Sequence, residues 1–356
     1  MTQPALTVFA GSEAVQRIEQ RGISPEIFSC VVGASGGAKM LALTHLDRYL
    51  FGEFLPTSRH RVELLGSSIG SWRHAAAAAP DPLAALSDLQ ERYLNQAWDE
   101  NDPRRTSEIV DELCAWVVDG LCTEEVARHV CSHPRYTTHV VTARGLGWNG
   151  RPAGPRLALG MGVSAAANML TRNLLGSGFQ RVVFSSGPSQ AFQFSDFGTR
   201  HVGLTASALK RALLASGSIP FLMSGQQDLP GADVGRYWDG GIIDYHFDFA
   251  NQTGDGLVLY PHFTDAVIKG WFDKALPWRR TPAAELARVV MLAPSRAYLK
   301  RLPNGRIPNR KDFKSMRRTD RLKFWNTAMS ASQQLADAFA EFVTASEPAR
   351  FLTRFP

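Results

Sequence analysis

The chain has 356 residues, 44% of them hydrophobic, and a formal net charge of +6. That is enough apolar content for one large core or two ordinary ones, without disulfides or a structural metal to hold it. The four cysteines (Cys30, Cys114, Cys122 and Cys131) match no zinc-ligand spacing and no disulfide framework, so idle reduced thiols are expected. Residues 1–9 lack a basic residue ahead of their short apolar part and make a poor signal peptide. The longest apolar stretch, 157–170, is interrupted by Gly160 and Gly162 and is too short to span a bilayer. A soluble, cytoplasmic protein is therefore expected.

In chain order, residues 13–21 read as a short helix ending near Gly22, and 28–32 as a buried strand. Residues 39–54 carry Met40, Leu41, Leu43, Leu46, Leu50, Phe51 and Phe54 at helical spacing. A second strand is expected at 61–65, then a helix over 72–79 stopped by Pro80. This alternation predicts parallel strands in an α/β sheet. Residues 81–130 are helical by pattern and should cover that sheet. Further strands are expected at 137–143 and 181–185, and a helix at 206–216. Strand-like segments lie at 237–243 and 256–260, and an amphipathic helix at 331–343. The Gly/Ala-rich stretch 157–175 fits a core helix or a lipid-facing flap.

From 296 to 323 there are eleven Lys/Arg against only Asp312 and Asp320. Such a run is a solvated face or a site of peripheral contact with anionic membrane. No nucleic-acid-binding motif accompanies it, so no nucleic-acid partner is expected.

The pattern Gly-x-Ser-x-Gly occurs twice, at Gly33-Ala34-Ser35-Gly36-Gly37 and at Gly66-Ser67-Ser68-Ile69-Gly70. Each comes after an apolar run and precedes a potential helix, the setting of a turn that exposes a serine hydroxyl. Serine is a weak nucleophile at neutral pH and needs a base, plus donors aimed at the developing oxyanion. The two copies differ in the residues C-terminal to each serine. Gly36-Gly37-Ala38-Lys39 offers bare backbone N–H groups and a positive charge, as an oxyanion loop requires. Ser68 precedes Ile69, Gly70, Ser71 and Trp72, an ordinary helix start, and reads as the nucleophile. The base is sought in Tyr237-Trp238-Asp239-Gly240-Gly241. There, burial beside aromatic residues would raise the Asp239 carboxyl toward a useful pKa.

These pieces resemble the patatin-like phospholipase family. The family combines a Gly-Gly-x-Lys/Arg loop, a Gly-x-Ser-x-Gly elbow some thirty residues later and a distant Asp-Gly-Gly. The segment Ala215-Ser216-Gly217-Ser218-Ile219-Pro220 resembles a fourth family feature. The resemblance covers roughly residues 28–244. It implies a three-layer α/β/α sandwich with a mostly parallel central sheet. It also implies a serine acyl hydrolase, a phospholipase A or lipid esterase acting on an acyl ester or phospholipid. Ser68 would be the nucleophile, Asp239 the base, and Gly36, Gly37, Ala38 and Lys39 the oxyanion loop, with Gly66 and Gly70 shaping the elbow. Neither metal nor cofactor is implied. Residues 1–356 would form one domain, with a catalytic core at about 28–262, a helical cover at 81–130 and a basic, helical extension at 280–356. Two departures are Ser35, where the family has its first loop glycine, and Met40, where a glycine often comes after the basic residue.

Three alternatives fit the same residues. Ser35 could be the nucleophile, with Phe9-Ala10-Gly11-Ser12 as a degenerate oxyanion loop. The chain order Ser68, Asp239, His262, with His246 as second choice, also fits an α/β-hydrolase triad. The third alternative is a lipid-binding module whose hydrolase site has decayed.

Overall fold

The computed structural model describes residues 4–99, 101–194 and 196–355. Its centre is a sheet of eleven strands: β1 (Leu6–Ala10), β2 (Phe28–Gly33), β3 (Val62–Ser67), β4 (Tyr136–Gly145), β5 (Phe179–Ser185), β6 (Thr199–Gly203), β7 (Gln226–Gln227), β8 (Arg236–Asp239), β9 (Leu257–Pro261), β10 (Val289–Pro294) and β11 (Leu352–Arg354). The main order is β11-β1-β10-β9-β2-β3-β4-β5-β6, and β8 pairs with both β4 and β7. The block β10-β9-β2-β3-β4 is parallel, while β1 on β10, and β5 and β8 on β4, are antiparallel. This is an α/β fold with a large, mostly parallel mixed sheet flanked by helices. Every residue of β9 and β10 is buried, as expected for strands covered on both faces.

The expected alternation at 28–79 is present, with irregular helical pitch. Residues 37–57 form one helical run that passes from 3-10 (Gly37–Leu43) through α (Thr44–Tyr49) and π (Leu50–Phe54) back to 3-10 (Leu55–Thr57). The helix Ile69–Ala77 begins three residues earlier than the pattern suggests, directly at the second Gly-x-Ser-x-Gly turn. All nine of its residues are buried, which explains the alanines at 75–79: small side chains let a helix sit in the middle of the molecule. The cover at 81–130 is helical, as Pro82–Asn95, Thr106–Asp119 and Glu124–Cys131.

The C-terminal segment is not an appendage. Its strand β10 lies between β9 and β1, inside the sheet, and β11 closes the edge next to β1. The basic run is partly structural. Arg321 is buried with its guanidinium over the Phe313 ring, and Arg306 pairs with the buried Asp312. The stretch at 157–175 contains a helix with one face in the core and the other exposed. Leu157, Gly160, Met161, Ser164 and Asn168 of the helix Pro155–Leu170 face the core. Leu159, Val163, Met169 and Leu170 face outward. No helix among the described residues is long and apolar enough to cross a membrane.

Candidate active site

Strands β2 and β3 are parallel neighbours with Gly33 opposite Gly66, so the two Gly-x-Ser-x-Gly turns leave the sheet side by side at its carboxyl edge. That edge is where open α/β sheets carry their sites. The turns touch through bare backbone: a Cβ on Gly70 would stand 2.0 Å from the Gly33 carbonyl oxygen. A buried ion pair also ties together the helices that leave the two turns. Arg73 Nε donates to Asp47 Oδ2 at 2.7 Å, and both side chains are almost fully enclosed.

Ser68 has φ 55° and ψ −130°, a left-handed-side conformation that costs a non-glycine residue free energy. The strain is held in place by Ser216, the last residue of the helix Ala206–Ser216. Its hydroxyl accepts the Ser68 amide at 2.9 Å and donates to the Val141 carbonyl of β4 at 2.6 Å. The Ser68 amide is thus engaged, and the Ser68 side chain points out of the turn.

Asp239 arrives by register. β3 pairs with β4 up to Ser67 opposite Val141, and β8 then takes over β4 with Asp239 opposite Thr142. β3 and β8 therefore meet end to end along one flank of β4, and their next residues converge. Ser68 Oγ donates to Asp239 Oδ2 at 2.7 Å. The other oxygen, Oδ1, accepts the Gly241 amide at 2.7 Å, and the Asp239 amide donates to the Ser218 carbonyl at 2.7 Å. The stretch 216–218 thereby clamps both members of the pair.

Both residues are 8% exposed. Burial raises the Asp239 carboxyl to about 6, against the opposing effects of the Ser68 and Gly241 hydrogen bonds and the charges of Arg310 and Lys274. Behind it the chain is anchored by Asp244, whose amide donates to the Gly240 carbonyl at 2.8 Å. Its carboxylate accepts from Arg181 Nε at 2.6 Å and Arg172 Nη2 at 3.0 Å.

The first turn is arranged differently. Ser35 Oγ donates to Ser67 Oγ at 3.0 Å, and the Ser35 amide donates to the Tyr245 carbonyl at 3.0 Å. Among the described residues no carboxylate or imidazole hydrogen-bonds the Ser35 hydroxyl. Gly37 has φ 57°, a conformation that favours glycine, and the Gly36 and Gly37 amides stand where a first helical turn has no internal acceptors. The Ala38 N–H lies against the Tyr93 hydroxyl. The three expected oxyanion donors, Gly36, Gly37 and Ala38, thus lie in one turn at the start of this helical run. Lys39 Nζ lies 6.0 Å from the ring centroids of both Tyr245 and Phe263, and burial lowers its pKa. In place of the glycine that often comes after the loop's basic residue stands the buried Met40, which packs in the core.

The histidines bond to other partners. His246 Nδ1 accepts the Ile268 amide at 3.0 Å, and His262 Nδ1 lies 2.7 Å from the Thr264 carbonyl. Their rings pack edge to face, 4.2 Å apart. Burial pushes His262 down to about 3 and His246 well below its usual value, so both are neutral. Neither hydrogen-bonds Ser68 or Asp239, and the direct 2.7 Å contact between those two leaves no space for an imidazole between them. The loop 9–12 ends β1, three strands from β2, with Gly11 packed against the carbonyl of Leu286 rather than near Ser35.

Among the described residues, no group of three or more His, Cys, Asp or Glu side chains is arranged to hold a metal ion. Two cavities of about 280 Å³ each lie away from the dyad, one beside Arg172 and Lys269 and the other beside His133 and Tyr136. The hydrogen-bond geometry, not cavity size, marks the site. No family model matches the chain, and no curated protein matches it at a significant level.

The positioning role of Ser216, and the approach of Lys274 and Arg310 to Asp239, go beyond what the sequence pattern indicates. For Ser216 a signal existed in the small-residue stretch ending at Pro220. For the two cations there was none, because Lys274 lies in a short 3-10 helix (Trp271–Ala275) and Arg310 in a turn.

Proposed function

We propose that the chain is a serine acyl hydrolase of the patatin-like type, cleaving carboxylic esters through Ser68 and Asp239. The observation that carries this reading is the 2.7 Å hydrogen bond from Ser68 Oγ, on a strained turn, to a buried carboxylate. In the proposed mechanism Ser68 Oγ attacks the ester carbonyl while its proton passes to Asp239 Oδ2. The negative charge developing on the carbonyl oxygen is received by the Gly36 and Gly37 amides, with Lys39 nearby. Collapse of the tetrahedral intermediate expels the alcohol, which takes the proton from Asp239, and leaves an acyl-Ser68 ester. Water then attacks this ester with Asp239 as base, releasing the acid and restoring Ser68.

An aspartate at its ordinary pKa of about 3.9 is a poor base at neutral pH. A value of about 6 makes it a far better one and still leaves it mostly ionised at pH 7. The substrate class is an acyl ester, including phospholipid. The outward apolar face of Pro155–Leu170 and the basic run at 296–323 support contact with a lipid surface.

The test is hydrolysis of a short p-nitrophenyl ester by the wild type and by Ser68→Ala. Turnover by the wild type that disappears in the variant supports the reading. No turnover of short or long esters by the wild type would favour a binding module instead.

A further inference from the structure

Lys274 and Arg310 lie outside the segment that resembles a known family, yet both lie close enough to act on the charge of Asp239. Lys274 Nζ stands 3.5 Å from the centroid of the Tyr245 ring, the ring that Lys39 approaches from 6.0 Å. Arg310 flanks the oxyanion loop, with its Cβ 4.0 Å from where a Gly37 Cβ would stand. Lys274 and Arg310 both act electrostatically on Asp239, and Lys274 also feels Lys39 and Arg310. Tyr245 itself lies within the field of Asp239 and Arg310.

Lys39 and Lys274 therefore share one aromatic ring, and Arg310 flanks the loop that carries Lys39. Among the described residues none of the three has a salt-bridge partner, although other cations of the chain do, such as Lys269 with Asp248 and Arg296 with Asp265. Asp239 is occupied by Ser68 and Gly241 and cannot neutralise all three. Like charges held close without a counter-charge repel one another, and the arrangement lowers the Lys274 ammonium through partial burial first and then its cationic neighbours. A bound anion would relieve that repulsion.

We propose that Lys39, Lys274 and Arg310 form an anion subsite beside Ser68, so that the preferred ester carries a carboxylate or phosphate a few bonds from the scissile carbonyl. The inference rests on the hydrolase reading and adds its specificity. Lys274 and Arg310 act here as binding groups, not as proton carriers. Lys274 lies over Tyr245, so the ring orients the ammonium and leaves its remaining donors for the ligand.

The test uses two matched ester pairs. On the acyl side, p-nitrophenyl butyrate is compared with the mono-p-nitrophenyl ester of succinate. On the alcohol side, 2-nitrophenyl butyrate is compared with 3-butyryloxy-4-nitrobenzoate. The expected result is a kcat/KM at least about tenfold higher for the anionic member of one pair, a difference of ~1.4 kcal/mol. Lys274→Met and Arg310→Met should each reduce that ratio several-fold, mainly through KM, and Lys274→Arg should restore it. The preference should also weaken as salt rises. Competitive inhibition by inorganic phosphate or glycerol 3-phosphate, compared with succinate, separates a phosphate ligand from a carboxylate one. Equal kcat/KM within both pairs, or a ratio unchanged in both Met variants, overturns the subsite while leaving the hydrolase reading intact. Failure of the wild type to hydrolyse any of the four esters overturns both.

Discussion

The two Gly-x-Ser-x-Gly turns share a sequence pattern, a sheet edge and a backbone contact, yet they present their serines to different surroundings. Ser35 donates to another serine, and its amide is taken by the Tyr245 carbonyl. Ser68 donates to a buried carboxylate from a backbone with φ 55°. The difference does not lie in the five residues of either motif. It lies in β4, which pairs with β3 up to Ser67 and then hands its flank to β8, so that Asp239 hydrogen-bonds Ser68 while Ser35 bonds Ser67. A nucleophile motif is therefore a statement about a local turn, and its chemistry is decided by which strand end meets it.

The sharpest way to break the comparison is to exchange the roles of the two serines. Ser68→Ala should lower ester kcat/KM by at least about 10³-fold, whereas Ser35→Ala should cost less than about tenfold. Equal losses would show that the turns are not divided as described.

Asp239→Asn should come next, with a loss on the order of 10³-fold at neutral pH, because an amide cannot accept the Ser68 proton. In the wild type, kcat/KM should rise with pH through a midpoint near 6, where Asp239 becomes ionised. A carboxyl raised in the folded state contributes stability that is complete below its unfolded pKa of about 3.9. That contribution is lost as pH rises through its folded pKa of about 6. At pH 8 Asp239→Asn should accordingly be more stable than the wild type, by roughly 2–3 kcal/mol, with the gain vanishing near pH 4. Denaturant unfolding at the two pH values measures it.

Gly70→Ala attacks the contact between the turns. Its new Cβ would meet the Gly33 carbonyl oxygen at 2.0 Å, and backbone must move to admit it. A destabilisation of about 3 kcal/mol is expected, with activity lost in proportion to the displaced elbow. A smaller effect is expected for Ser216→Ala. It leaves the buried Ser68 amide and Val141 carbonyl without their hydroxyl partner, for about 1–3 kcal/mol and a partial loss of kcat. Cysteine at 216, a poorer donor, should fall between serine and alanine.

Much of the parallel core could be read from the chain because apolar runs, glycine turns and helical spacing alternate between residues 28 and 79. Strands β1, β10 and β11 could not. Val289–Pro294 is a short apolar run whose strand character comes only from its position between β9 and β1. In the site, Ser68, Asp239 and the Gly36-Gly37 turn stand out because tight turns demand glycine at fixed offsets. Lys274 and Arg310 do not, since a lysine in one turn of 3-10 helix and an arginine in a turn carry no periodic mark. Long-range chain routing alone brings them near enough to act on the charge of Asp239. The histidines show the converse. His246 and His262 suited a triad by chain order, but the fold packs their rings against each other and turns their Nδ1 atoms to backbone groups.

The division between the two turns is tested most directly by labelling the folded protein with a fluorophosphonate and mapping the modified peptide. Activated Ser68 should carry the label, and Asp239→Asn should abolish it. Label on Ser35, or labelling of Ser68 that persists undiminished in Asp239→Asn, would contradict the division.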